Sequence, residues 1–390
     1  MMTAYEAELA KARSDIAALT AMSHRDGRDP EKRVRLAYRQ FHQASLTGNE
    51  CDFAAVRQTI EGVIQDFGPK EDICLLKANL DGRFHCLEEV KRDLQMCPSL
   101  ARRHEGRSIL ADVDFQEGRY EQARIALETL IDEKRTWDNL ARLAHWKGKM
   151  GRPDEADRLY EAAEDELTAK ELRSFAWLEL QRGSLAMSRG LHGTARTHYQ
   201  RAAASFPGHW HTDEHLAGLL AAEGHRDEAV ALLRSVVARA SKPELKQVLG
   251  ELLASMGRTE EAQSWLDAAV AAFLASTEQG GVHYYHHLAD VYADMEGYAA
   301  EAVKWARKDV ALRSNFSTQS ALAWALLQNG EVAEGLAWIR QALASGVHDG
   351  GIFATAAALF HAAGDAAQGE RYALAAAELN PSGHHIHTHH

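Results

Sequence analysis

Two groups of histidines have a spacing that could place imidazole rings together. One group contains His211 and His215, and the other contains His283 and His287. Residues four apart lie on one face of a helix, so each pair could offer two imidazoles to one ion. Zinc, nickel and copper are the divalent transition metals that imidazole suits. The alternatives are that these rings cap helices, stack on neighbouring aromatic rings, or line a pocket for an organic ligand.

Each histidine pair would need further ligands to make a complete metal site. A structural zinc takes four ligands, and a pair supplies only two of them. Glu244 and Glu251 lie between the two groups and could complete a coordination shell. A catalytic H-E-x-x-H zinc site needs a glutamate directly after its first histidine, and neither pair has one. We therefore predict a metal-binding protein or metalloenzyme only as the alternative function.

Residues 382–390 form a histidine-rich tail. Five of the 21 histidines in the chain fall within its last seven positions. Such a tract binds nickel, copper or zinc weakly and without selectivity. Because a tract of this kind can also be an expression remnant, we do not count it as a catalytic site.

Signature motifs of common enzyme classes were not found in the sequence. It has no phosphate-binding P-loop, no dinucleotide-binding glycine fingerprint and no nucleophile elbow. A groove lined by His, Glu, Asp and Trp could still perform acid–base or metal-assisted chemistry. No spacing assigns a catalytic role to any particular side chain. The four cysteines contain no C-x-x-C pair and are expected to be reduced, mostly buried thiols.

The composition is that of an acidic globular protein. It has 44 Lys and Arg against 56 Asp and Glu, a formal net charge of −12, and no basic cluster stands out. Nucleic-acid binding needs a basic face that neutralises phosphates, so the composition argues against it. No uncharged apolar run reaches the roughly 18 residues that would predict membrane insertion. The N-terminus is acidic, so we expect no secretory signal and a cytoplasmic location.

One turn recurs along the chain and predicts its architecture. An apolar stretch ends in Gly, and a small residue follows five positions later, as in Gly118 with Ala123. The first two copies depart from this rule, with Phe53 and Leu87 at the small-residue position. Ten copies begin at intervals of 34, 36, 33, 39, 34, 33, 40, 33 and 34 residues. Gly permits the positive φ that ends a helix, and the small residue lets a second helix pack closely. The two long intervals predict extended connections at residues 165–174 and 273–282.

This pattern resembles the tetratricopeptide repeat, a unit of about 34 residues that forms a helix pair. The resemblance covers residues 31–381, about ten repeats. It implies an all-α, right-handed superhelical solenoid of antiparallel helix pairs. It also implies that the first helices line a concave groove. Because each unit of a solenoid contacts only its neighbours, the whole chain can form one elongated domain.

Residues 1–30 precede the repeats and predict a helix followed by a polar linker. Apolar positions at Tyr5, Leu9, Ala12, Ile16 and Leu19 recur every three or four residues, which is typical of an amphipathic helix. The helix could cover the end of the solenoid, because terminal repeats need a cover. The alternative is that it pairs with a second copy of the chain and forms a homodimer.

The family resemblance also implies which residues line the groove, because first helices face it at fixed distances from the turn glycine. The lining predicted from those offsets includes His145, Trp177, His211, Glu214, Gln247, Glu251, Tyr284, His287, Asp294, Trp324 and His361. It is almost free of Lys and Arg, unlike family members that clamp a terminal carboxylate with Lys, Asn and Arg. The resemblance therefore implies a binding or scaffold protein whose acidic, histidine-bearing groove receives a peptide, a protein segment or a cationic ligand.

Overall fold

The computed structural model describes residues 2–25, 29–240 and 242–381. These residues form α1 (Ala4–Arg25), α2 (Pro30–Thr47), α3 (Glu50–Phe67), α4 (Glu71–Arg83), α5 (Leu87–Met96), α6 (His104–Gln116), α7 (Tyr120–Glu133), α8 (Trp137–Lys149), α9 (Pro153–Asp165), α10 (Leu172–Met187), α11 (His192–Ser205), α12 (Trp210–Ala222), α13 (Arg226–Arg239), α14 (Pro243–Ser255), α15 (Thr259–Glu278), α16 (Tyr285–Asp294), α17 (Ala299–Leu312), α18 (Phe316–Gln328), α19 (Val332–Ala344), α20 (Gly350–Ala362) and α21 (Ala366–Leu379). A short 3-10 helix covers Leu100–Arg102, and the described residues contain no strand. None of these helices is long and apolar enough to cross a membrane. The predicted all-α class is confirmed.

Helices α2 to α21 pack as ten successive hairpins, which we number units 1 to 10. The two helices of each unit pack on each other, and each unit packs on the next one. The turn glycines Gly118 and Gly257 have φ values of 77° and 74°, in the left-handed region that favours glycine. Ala123 and Ala262, five residues later, are buried against the first helix of their unit. The repeat period therefore corresponds to one helix pair, and the fold is a solenoid.

Unit 2 departs from the glycine rule. Gly82 lies inside α4, and the positive φ of this turn falls on His85, at 59°. A residue other than glycine is uncommon in this region, because its Cβ crowds the backbone. The turn comes three residues later than the repeat predicts, so Arg83 and His85 lie at the tip of this hairpin.

Both predicted extended connections are present. Helix α9 ends at Asp165 and α10 begins at Leu172, which leaves six residues between them. Helix α15 continues to Glu278, and the chain then turns at Gly280 with a φ of 87°. These insertions lengthen the connection after units 4 and 7.

The solenoid closes on itself instead of extending as an open trough. The indole Nε1–H of Trp210 in unit 6 donates to the Leu46 carbonyl of unit 1 at 2.9 Å. The Asn315 amide before α18 donates to the Gln116 carbonyl of unit 3, also at 2.9 Å. In each of these contacts, the turn of one unit meets the start of the unit that follows five or six units later. We call this line of contacts the seam. The superhelix completes a turn within about six units, and the successive turns touch, so that the predicted groove is closed into a channel.

Glycines at the turns make this close approach possible. A Cβ added to Gly118 would lie 2.5 Å from the Ser314 carbonyl oxygen, and one added to Gly151 would lie 2.6 Å from the His348 ring. The same pair of units is joined by the His348 N–H, which donates to the Lys149 carbonyl at 2.8 Å. Glycine is therefore needed at these turns both for its φ and for its lack of a side chain.

Helix α1 braces the first unit against the middle of the chain. It packs along α2, the first helix of unit 1. The Tyr5 N–H donates to the Pro207 carbonyl at 3.3 Å, and its hydroxyl donates to the Leu46 carbonyl at 3.4 Å. Part of the predicted polar linker, residues 26–28, and the histidine-rich tail from residue 382 lie outside the described residues. A homodimer through α1 stays a prediction.

Candidate functional site

A channel of about 2020 Å³ runs inside the superhelix, and the first helices of the units line most of it. Its lining contains nine His, ten Asp and Glu, and seven Lys and Arg side chains. The prediction that Lys and Arg would be almost absent is wrong. The family offsets select the middle of each first helix, whereas Arg83, Lys149 and Lys242 enter the channel from helix ends. The channel is thus rich in histidine and only weakly acidic.

The structure brings most of the predicted groove residues together. His145, Trp177, His211, Glu214, Tyr284, His287, Asp294 and Trp324 line the channel. Gln247 is instead buried beside it, with its amide nitrogen 2.7 Å from Glu251 Oε1. His361 lies against Gly369 of its own hairpin, because it is one residue from the end of α20 and faces α21.

His211 and His215 share a face of α12, as predicted. Their ring centroids are 4.8 Å apart, and both rings line the channel. Burial and the neighbouring histidine charges lower the pKa of His211 well below 6.5, so its ring is neutral at neutral pH. Across residues 2–25, 29–240 and 242–381, no three His, Cys, Asp or Glu side chains form a group that could hold a metal ion.

His283 and His287 do not share a helix face. Helix α16 begins at Tyr285, so His283 lies in the preceding turn and the predicted four-residue helical pair is wrong. The His283 Nε2 is 2.9 Å from Glu50 Oε1, at the start of the second helix of unit 1. The His287 Nδ1 is 2.8 Å from Gln247 Oε1, inside units 7 and 8. The two rings are therefore held by different partners.

The starts of α12, α14 and α16 bring together five side chains that we call the Trp210 cluster: Trp210, Glu214, Lys242, Glu244 and Tyr284. The Lys242 ammonium lies 5.0 Å from the centre of the Trp210 ring and 3.0 Å from Glu244 Oε1. The Tyr284 hydroxyl donates to the other Glu244 oxygen at 3.4 Å. Glu214 follows Trp210 by one helical turn, on the same face of α12. Three units thus contribute to one small region of the channel wall.

Glu214 is the acid of this cluster that lacks a close partner. It is 7% exposed, and no hydrogen bond or ion pair joins it to another described residue. Burial raises its pKa to about 8, while the Lys242 charge lowers it and the Glu244 charge raises it. The carboxyl is therefore mostly protonated at neutral pH. Carboxyl groups whose pKa is shifted in this way concentrate at functional sites.

Arg83 brings a guanidinium to the same region from unit 2. It lines the channel, its guanidinium carbon is 4.9 Å from the centre of the Phe53 ring, and it makes no ion pair with any other residue in the described ranges. Burial lowers its pKa, and the nearby charges of Glu244 and Tyr284 act against that change. The site therefore combines a buried acid with a guanidinium, and both can hydrogen-bond to a guest molecule.

Sequence reasoning missed the contributions of Arg83 and Lys242. A signal for Lys242 exists, because it directly precedes Pro243, and proline favours the first position of a helix. That placement puts Lys242 at the start of a first helix, where the seam forms. No comparable signal marks Arg83, because its position depends on the displaced turn of unit 2.

Comparisons with known proteins add little to these observations. No protein-family model and no curated protein sequence matches the chain. A chain in the structure of Naa15/Naa10 bound to HypK-THB is similar, with 15% identity and a TM-score of 0.30. This similarity covers 94% of the present chain but 60% of that one. Yeast Tom70 has 13% identity and a TM-score of 0.36, with 94% and 92% of the two chains covered. Scores and identities this low support no transfer of function.

The chain's own features identify its type. Ten hairpins follow one another at intervals of 33 to 40 residues, and all of them except unit 2 have their turn and second helix at the positions the repeat predicts. Small residues at the predicted position, such as Ala156 and Ala229, are fully buried between the two helices of their unit. The described residues therefore form an α-solenoid of ten helix hairpins, with a spacing that resembles that of tetratricopeptide repeats.

Proposed function

We propose that this protein is a binding or scaffold protein that receives a polypeptide segment or a cationic ligand inside the channel. The channel volume of about 2020 Å³ supports a guest larger than a small molecule. Pockets for drug-sized ligands are roughly 300–1,000 Å³, so an extended segment fits the available space better. The observation that carries the proposal is Glu214, a buried acid in the channel wall whose hydrogen bonding a guest would complete.

Other channel side chains suit a polypeptide guest. Arg83 can donate to backbone carbonyls or to a carboxylate, and the neutral ring of His211 can accept from an N–H group. Trp177, which is 40% exposed, and Trp324 present aromatic surface to the channel. Aromatic faces bind apolar groups and cations in such settings. Donors, acceptors and aromatic surface thus occur along one wall.

Selection from a degenerate peptide library on the immobilised full chain, read out by mass spectrometry, tests this proposal. Ala321→Trp fills part of the channel, whereas Ala271→Trp places the same bulk on the exposed side of α15. We expect Ala321→Trp to weaken binding of the selected peptides by about tenfold or more, and Ala271→Trp to leave it unchanged. Equal binding by both variants would place the interaction outside the channel and overturn the proposal.

Our alternative proposal is a zinc, nickel or copper site at His211 and His215. The distance of 4.8 Å between their ring centroids favours it, and neutral imidazole is the form that binds metals. Elemental analysis of protein that ends before Gly383 separates such a site from the tail. Stoichiometric metal that is lost in His211→Ala supports the alternative, and metal-free protein refutes it.

A further inference from the structure

The Trp210 cluster already shows how it holds an alkylammonium group. The Lys242 ammonium is bound by one carboxylate, Glu244, and lies over one aromatic face, Trp210. Its side chain is only 15% exposed, so this is a buried and largely desolvated arrangement. Carboxylate and aromatic face together are the groups that attract ammonium ions in proteins.

No ion pair between described residues involves Glu214. The Lys242 ammonium is bound to Glu244 at 3.0 Å, and the charges that act on the Arg83 guanidinium are those of Glu244 and Tyr284. Lys242 and Glu244 act on Glu214 in opposite directions, and His211 on the same helix is held neutral by burial. Because no ion pair offsets its burial, the Glu214 carboxyl keeps its proton. A cation brought by a guest would let this carboxyl ionise.

We propose that Glu214 is the binding group for an alkylammonium on the guest, either a lysine side chain or the amino terminus of a peptide. This inference rests on the proposed function, because the guest must enter the channel to reach Glu214. On binding, the Glu214 carboxyl loses its proton to the buffer, and the guest ammonium donates an N–H hydrogen bond to the resulting carboxylate. The guest stays protonated, so each binding event releases close to one proton at neutral pH.

The test compares three matched peptides derived from a sequence selected on the channel. The first has one lysine and an acetylated amino terminus, the second carries Nε-acetyl-lysine instead, and the third has a free amino terminus and no lysine. Isothermal titration calorimetry in two buffers of different ionisation enthalpy measures both affinity and proton release. We expect the lysine peptide, the free-terminus peptide or both to bind about tenfold or more tightly than the acetylated one. Release close to one proton should accompany only the tighter binding.

Variants of the acid test the assignment to Glu214. Glu214→Gln should abolish both the preference for the ammonium and the proton release, while Glu260→Gln, on the exposed face of α15, should change neither. Glu214→Asp keeps a carboxyl group and should retain part of the preference if the Gln variant folds poorly. Equal affinity for all three peptides overturns this inference and leaves the proposed function standing. Failure of every peptide to bind overturns the proposed function, and this inference with it.

Discussion

Closure of the superhelix along the seam can be tested with two glycine substitutions, one at a turn that contacts the seam and one at a turn that does not. Gly118 and Gly257 occupy the same position of the repeat and have φ values of 77° and 74°. A Cβ on Gly118 would lie 2.5 Å from the Ser314 carbonyl oxygen, whereas a Cβ on Gly257 has no heavy atom of a described residue within 4 Å. Gly118→Ala therefore perturbs the turn and the seam, and Gly257→Ala perturbs the turn alone.

The expected difference follows from the contacts that Gly118→Ala must displace. Both substitutions place alanine in the left-handed region, which costs roughly 1–2 kcal/mol of unfolding free energy. At the seam, the Asn315 amide donates to the Gln116 carbonyl at 2.9 Å, and the Phe316 N–H donates to the Tyr120 hydroxyl at 2.8 Å. Each bond contributes about 0.5–1.5 kcal/mol. Gly118→Ala should therefore cost about 1–3 kcal/mol more than Gly257→Ala.

Hydrogen exchange is the most direct assay, because a solenoid can unfold in parts and a single melting temperature would average over them. The Phe316 amide should exchange faster in Gly118→Ala than in the parent and should be unchanged in Gly257→Ala. Urea unfolding followed by circular dichroism gives the accompanying loss of stability. If the two variants lose the same stability and the Phe316 amide is equally protected in both, the seam does not exist in solution.

Three further predictions concern buried polar groups. Trp210→Phe removes the donor to the Leu46 carbonyl and should cost about 1–2 kcal/mol in urea unfolding, whereas an effect near zero would show that water replaces the bond fully. Burial raises the pKa of Glu214 from 4.5 to about 8. Between pH 4.5 and about pH 8, the folded state therefore keeps a proton on Glu214 that the unfolded state has lost. Its contribution to stability is full below about pH 4.5 and is lost as the pH rises through about 8, by at most about 1.4 kcal/mol per pH unit. Unfolding curves across this range should have a shallower slope in Glu214→Gln, and an identical slope would contradict the assignment. With a thiol reagent, exposed Cys51 should react promptly, but buried Cys74, whose pKa burial raises to about 12, should react only on unfolding; equal rates would contradict its burial.

The local fold was predictable because its determinants lie close together in sequence. Gly118 and Ala123 are five residues apart, and their roles at a turn and a helix contact depend on groups within one unit. The break at Gly280 was predictable for the same reason, since only glycine readily adopts its φ. The position of unit 2's turn was not, because His85 takes the conformation that the repeat assigns to Gly82.

The interior of the channel was predictable only in part. Glu214, His211 and Tyr284 follow from the position of a residue on its own helix, so the family offsets found them. The contacts of Trp210 with Leu46 and of His283 with Glu50 join residues 164 and 233 positions apart. These contacts depend on the small rotation between neighbouring units, which accumulates over about six units. No short sequence pattern predicts the accumulated rotation. The sequence therefore predicted a solenoid with a concave groove, and only the three-dimensional structure reveals that the groove is closed.

The seam also restricts how the number of hairpins can change. In an open solenoid a hairpin can be inserted or deleted with only local effects, because each unit touches its neighbours alone. Here Gly118 must arrive opposite Ser314, and Gly151 opposite His348, so one additional hairpin between them would put every later pair out of phase. Duplication or loss of a single unit in the middle of the chain is thus a global change, and the length of this protein is tied to the pitch of its own coil.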